Sequence, residues 1–214
     1  MAGTPIPVPG LTGPLVAYVA VFSRRKDSRQ MCWSATTRLQ FLLTRPAVAK
    51  AAAFWEVANY REAYGLFACS GLLFNHESCL RPARFVTQKI ITGARRIASG
   101  EWKGNLHLGN LEIERDWGWA AEFVEAMALM LRQPAPDDYV IATGETRPLR
   151  DFVAQAFGAV GLDWQQHVEQ DPALLRPTDL RCGRADPGRA AAKLGWRAKW
   201  RMNEVVRAMT DGVL

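Results

Sequence analysis

The polar residues best placed to do chemistry fall close together: Asn75, His76, Glu77 and Ser78, with Arg81 close behind. An imidazole can move a proton, a carboxylate can accept one, and amide, hydroxyl and guanidinium groups can hold an anionic or hydroxylated ligand. Their position matters as much as their types. They follow residues 66–74, a nearly unbroken apolar run of strand length, which suits a strand buried on both faces of a parallel sheet. In open α/β sheets, ligands sit at the carboxyl ends of such strands.

The surrounding elements must hold that cluster in place. Gly65 stands where a helix would end in the left-handed conformation that glycine adopts cheaply. Upstream, Thr44 can cap this helix and Pro46 suits an early position, while Val48, Ala51, Ala52, Trp55 and Asn59 line one side. Downstream, residues 75–78 read as a polar loop and 84–99 as a helix ended by Gly100, followed by a short strand at 105–109. Asp116 reads as the cap of a helix whose Ala120, Phe123, Val124, Met127 and Leu131 recur at helical spacing, with Pro134 barring its continuation. Residues 139–143 predict another strand and 147–160 a regular helix closed by Gly161. Asp186 and Pro187 open a short helix that Gly195 ends, and Met202, Val205, Val206, Met209 and Val213 mark a final amphipathic helix. Strand and helix alternate, which argues for an α/β layered domain.

Residues 1–45 fit this pattern poorly. Residues 1–13 are rich in Pro and Gly, PLVAYVAVF at 14–22 predicts one strand, and the polar stretch to Gln40 shows no clean period. Gly10 and Gly13 give no dinucleotide fingerprint, since no strand precedes them and a proline follows.

Composition narrows the function. The 214 residues, 49% hydrophobic, suffice for a well-filled core, and the net charge of +6 is scattered without a long basic run. A solvated arginine-rich surface or an electropositive cleft for a phosphorylated small molecule accounts for that charge better than a nucleic-acid face. Cys32, Cys69, Cys79 and Cys182 form no Cys-x-x-Cys pair and His76, His107 and His167 fall at no metal-ligand spacing to them. No metal site is expected, and reduced thiols point to the cytoplasm. The apolar segment at 14–22 is too short to span a bilayer, and the basic residues that follow it reverse a secretory signal's charge order.

Seven segments together resemble the GDP-mannose 4,6-dehydratases of the extended short-chain dehydrogenase/reductase superfamily, in order and spacing, over residues 46 to about 211. They are AVAK (47–50), NYREAYGLFACSGLLFNHES (59–78), FVTQKI (85–90), LGNLEIERDWGWA (108–120), DYVIATGE (138–145), RPTD (176–179) and DPGRAAAKLGW (186–196). The resemblance implies a fold class: α/β, a partial Rossmann-like parallel sheet without its first βαβ units, joined to the smaller carboxyl-terminal substrate-binding domain. Residues 1–45 would be unmatched and loop-rich, and 46–214 would hold the remnant of the NAD(P)-binding sheet intertwined with a GDP-sugar-binding domain. The implied reaction is the NADP-dependent conversion of GDP-mannose to GDP-4-dehydro-6-deoxy-D-mannose and water.

Residue roles follow from the same resemblance. Lys50 is the matched member of the family's catalytic Tyr-x-x-x-Lys and would also bind the cofactor. Pro46 stands at the tyrosine position, and the family's serine or threonine and its glutamate have no counterpart upstream. His76 and Arg81 would contact NADP, and Asn75 and Lys89 the GDP-sugar. Arg115 and Arg176 would clamp the diphosphate, a task suited to forked donors, and Asp179, in place of a family glutamate, would accept from the nucleotide. The expectation is a truncated or degenerate dehydratase with impaired or no catalysis. The alternative is a non-catalytic GDP-sugar binder, or a partner subunit of a full-length homologue. The family also implies homo-oligomers.

Overall fold

The structure is a computed structural model that describes residues 15–18, 30–33, 45–175 and 181–213. Arg176 and Asp179 lie outside the described residues, as does the side chain of Pro46. The chain runs β1 (Leu15–Tyr18), β2 (Gln30–Trp33), α1 (Arg45–Tyr64), β3 (Ala68–Leu73), β4 (Asn75–Glu77), α2 (Val86–Ala98), β5 (Leu106–Leu108) and β6 (Glu114–Trp119). It continues with α3 (Ala120–Leu131), β7 (Asp138–Ile141), β8 (Thr146–Pro148), α4 (Leu149–Gly158), β9 (Val168–Gln170), β10 (Cys182–Ala185), α5 (Gly188–Leu194) and α6 (Met202–Asp211).

The apolar run expected as a doubly buried strand is β3, and every residue in it is buried. It lies parallel between β1 and β7. Alternation sends its side chains to two different layers. Cys69 and Leu73 join Phe123, Ala126 and Met130 of α3 and Leu194 of α5, whereas Leu72 joins Ala51 of α1 and Val140 of β7. Helices therefore cover both faces of a parallel sheet, the α/β arrangement the sequence predicts. Gly65, Gly100, Gly161 and Gly195 all adopt positive φ where helices end.

A second sheet orders β2-β10-β6-β4, with β8 pairing antiparallel to β6. Its core partner is the largest cluster, in which Trp117 of β6 meets Ile90 and Ile91 of α2, Phe152 and Phe157 of α4, and Val205 and Met209 of α6. Strands β5 and β9 form a separate parallel pair.

Several local expectations are corrected. Residues 75–77 are not loop but β4, because their main chain pairs in parallel with Trp117, Gly118 and Trp119. Asp116 caps no helix: it lies within β6, and α3 starts at Ala120 without a side-chain cap bond. Residues 182–185, to which no element is assigned above, form β10, held between β2 and β6. The segment 30–33, which shows no period, is likewise a strand. In α1 the buried face runs through Ala51 and Val57, and Trp55 is 59% exposed rather than part of the inner stripe.

Candidate functional site

The site is built on β4, which continues the line of β3 after Phe74. Successive strand residues face opposite sides, so His76 separates from Asn75 and Glu77. Glu77 is buried, and Thr87 Oγ1 at the head of α2 donates to its Oε2 at 2.7 Å. Arg81 Nε lies 3.2 Å from the same oxygen, within ion-pair range but off the line a hydrogen bond requires. Burial pushes the Glu77 carboxyl upward, opposed by the Arg81 charge and the Thr87 hydroxyl. A charge this deep is tolerable only because both partners face it.

His76 is half-buried, with its ring stacked on Phe123 at 4.9 Å. Its Nδ1 lies 2.8 Å from the Phe74 carbonyl oxygen. A carbonyl only accepts, so Nδ1 carries the proton and the neutral ring presents Nε2 as an acceptor. Burial lowers its pKa, the Phe74 bond opposes this, and the charges of Arg81 and Lys50 lower it further. The imidazole is therefore held neutral among cations. Lys50, half-buried in α1, has its own pKa lowered by burial. The guanidinium of Arg81 sits 3.9 Å over the Phe85 ring and donates to the His76 carbonyl at 3.4 Å.

On the neighbouring β6, Arg115 donates to the Glu114 carbonyl at 2.8 Å. Its side chain crosses Gly183 of β10, where a Cβ would come within 3.5 Å of Arg115 Cδ. Asp116 points to the other face, fully buried, and accepts the Thr143 N–H at 2.9 Å and the Gly144 N–H at 2.7 Å. The turn between β7 and β8 is thus tied to β6. Burial pushes the Asp116 carboxyl up to about 6, against those N–H bonds and the Arg201 charge.

The structure therefore brings together Lys50, Asn75, His76 and Arg81 at the end of β3, with Arg115 on the strand that pairs with β4. Lys89 stands apart, its Nζ on the His107 carbonyl at 2.7 Å. Sequence reasoning placed Glu77 in the polar cluster but did not find Thr87, Phe123 or Asp116 as parts of this framework. Their partners come from distant elements, and only the Asp116 motif RDWG carried a local signal. A cavity of about 270 Å³ also opens beyond β7, lined by Thr143, Gly144, Asp186, Trp196, Arg197 and Arg201 among others. None of Lys50, Asn75, His76, Arg81, Lys89 and Arg115 lines it. Among the described residues, no group of three or more His, Cys, Asp or Glu could hold a metal ion, and no helix is long and apolar enough to cross a membrane.

Comparison with known proteins places these residues in context. Residues 46–209 match the family profile described as GDP-mannose 4,6 dehydratase. GDP-mannose 4,6 dehydratase 1 of Arabidopsis thaliana is 48% identical over 165 residues, covering 77% of this chain and 45% of that protein. The Dictyostelium discoideum GDP-mannose 4,6 dehydratase is 42% identical over 180 residues, covering 76% of this chain and 50% of that protein. The chain spans about half the length of these curated relatives. Among solved structures, RMD from Pseudomonas aeruginosa complexed with NADPH superimposes with a TM-score of 0.81 at 18% identity, over 95% of this chain and 67% of that one. dTDP-glucose 4,6-dehydratase from Bacillus anthracis in complex with NAD gives 0.78 at 16% identity, over 93% and 61%. At these identities the structural likeness speaks for the fold alone.

Proposed function

Because the chain belongs to the GDP-mannose 4,6 dehydratase family, we propose that it binds GDP-mannose across the carboxyl ends of β3 and β4 and the adjoining face of β6. The reaction to which that surface belongs is the conversion of GDP-mannose to GDP-4-dehydro-6-deoxy-D-mannose and water. The observation that carries this reading is the match over residues 46–209, which includes Asn75, His76, Arg81, Lys89 and Arg115 in one continuous stretch.

Arg115 and Arg176 hold the diphosphate, for which planar forked donors suit two phosphate edges. Asn75 and Lys89 bind the remainder of the GDP-sugar, Lys89 exchanging the His107 carbonyl for the ligand, and Asp179 accepts from the nucleotide. The donor set of Lys50, His76 and Arg81 fits NADP: two cationic side chains for phosphate or ribose, and an imidazole whose Nε2 accepts from a hydroxyl. When bound, NADP supplies reversible hydride transfer at the sugar.

Pro46 lies four residues before Lys50, and proline has no hydroxyl to exchange a proton with the sugar. This supports a chain that holds the sugar nucleotide without turning it over alone, acting as a GDP-sugar binder or as partner subunit of a full-length homologue. The free thiols of Cys69, Cys79 and Cys182 support a reducing, cytoplasmic setting.

A thermal melt with and without excess GDP-mannose tests the reading. Ligand at about a hundred times its dissociation constant adds roughly 2.7 kcal/mol, enough to raise the midpoint by a few degrees. A cooperative melt that GDP-mannose leaves unmoved overturns the binding claim. Turnover of GDP-mannose by the isolated chain with NADP overturns the non-catalytic one.

A further inference from the structure

Glu77 is the buried acid that the roles assigned so far leave unused. Its side chain is 1% exposed, and taking a carboxylate out of water is costly unless its charge is met. An apolar side chain of similar size would fill the same space without that cost. Thr87 donates to Glu77 Oε2 from the head of α2, and the one cation facing that oxygen is Arg81, with Nε at 3.2 Å.

Arg81 is in turn held at three points. Its buried Nε makes no hydrogen bond and faces the Glu77 carboxylate by charge alone. Its Nη1 donates to the His76 carbonyl at 3.4 Å, and the guanidinium carbon lies over the Phe85 ring, 3.9 Å from its centre. Nη2 donates to no group among the described residues. The main chain that carries this side chain is a turn, closed by the Arg81 N–H on the Ser78 carbonyl at 3.1 Å. An arginine on such a turn would ordinarily sample many rotamers, and ordering it on a ligand would lower affinity. Here the order exists before any ligand arrives.

We infer that Glu77 and Phe85 are positioning residues for Arg81: the carboxylate anchors the inner edge of the guanidinium, the ring fixes its plane, and Nη2 is held ready for the phosphate or ribose oxygens of the cofactor. This rests on the NADP reading above and adds to it two residues that need touch no ligand. A purely electrostatic role for Glu77 would have the opposite sign. A negative charge behind an anion-binding arginine repels the anion, so a carboxylate that only neutralised Arg81 would weaken binding, whereas one that orients it strengthens binding.

Fluorescence titration of NADPH into the full chain tests the inference, using the wild type, Glu77→Gln, Phe85→Leu, Arg81→Ala and the two double variants that include Arg81→Ala. Glu77→Gln keeps the shape and drops the charge, and is expected to weaken NADPH binding about 3- to 10-fold, the cost of ordering one long side chain on the ligand. Phe85→Leu should weaken it by a similar factor. It leaves the buried carboxylate untouched, so it reports even where Glu77→Gln lowers the melting midpoint. Neither change should weaken binding further once Arg81 is replaced by alanine, whereas a general loss of structure would persist in that background. Binding by Glu77→Gln or Phe85→Leu as tight as in the wild type, or a loss that survives in Arg81→Ala, overturns the inference and leaves the NADP reading standing. A wild type that melts cooperatively yet binds no NADPH overturns both.

Discussion

Replacing Asp116 by asparagine separates the charge of this buried side chain from its shape. Burial outweighs the two N–H bonds it accepts and pushes its pKa from an ordinary 3.8 to about 6. The native state thus holds the proton more tightly than the unfolded chain does. The stability this gives is complete below the unfolded pKa and is lost as pH rises through the folded one. A shift of about two units is worth about 3 kcal/mol in all, of which about 2 kcal/mol disappears between about pH 4.5 and about pH 7.5. Asparagine does not titrate. The stability of Asp116→Asn relative to the wild type should therefore improve by about 2 kcal/mol across that interval. At neutral pH the amide leaves one of the two N–H groups without an acceptor, a cost of about 1–3 kcal/mol, so the absolute difference starts near balance and the pH dependence is the informative quantity. Urea unfolding of both proteins at both pH values measures it, because every other titration cancels in the difference. With a slope of about 2 kcal/mol/M, the gap between midpoints should move by about 1 M. A gap that stays constant would refute the reasoning.

Other perturbations probe the framework around His76. Gly118→Ala would drive a Cβ into the Phe123 ring, within 2.8 Å of its Cζ. The overpacking should cost about 1–3 kcal/mol in urea melts and shift the His76 ring resonances, since Phe123 is its stacking partner. Thr87→Val keeps the side-chain shape but strips the buried Glu77 carboxylate of its hydroxyl donor. It should destabilise by about 1–3 kcal/mol, most at neutral pH where Glu77 is charged, and an equal loss in acid would contradict the assignment. Arg61 ties α1 to β3 and β7, donating to Asp138 at 2.6 and 3.3 Å and to the Ala68 carbonyl at 2.9 Å. Arg61→Ala should lower the thermal midpoint by several degrees, about 1–3 kcal/mol, and Arg61→Lys should restore little of it because one ammonium cannot make all three bonds.

What the sequence revealed was whatever is encoded locally. The nearly unbroken apolar run at 66–74 announces β3 because both faces of that strand are covered, and the glycines at 65, 100, 161 and 195 announce helix ends because only glycine sits easily at positive φ. By contrast, nothing in Asn-His-Glu announces β4, whose pairing with Trp117 to Trp119 is a property of two distant segments. Asp116 misled for a definite reason. An aspartate ahead of an apolar helical stripe has the pattern of a cap, yet its carboxylate serves backbone groups 27 residues further on. The cluster at 75–81 and the α/β class were legible in the same local way, and the roles given to Lys50, Asn75, His76, Arg81, Lys89 and Arg115 came from resemblance.

Strands β1 and β2 come from residues outside the family match, yet β1 lies along β3 and β2 along β10. Main-chain complementation of this kind is indifferent to side-chain identity, so a stretch outside the family match can close a sheet as effectively as one inside it. A protein trimmed to residues 46–214 would therefore present two raw edges at once, one along β3 beside the candidate site and one along β10. Such edges recruit other chains, so the segment outside the family match would be the part that keeps the rest from aggregating.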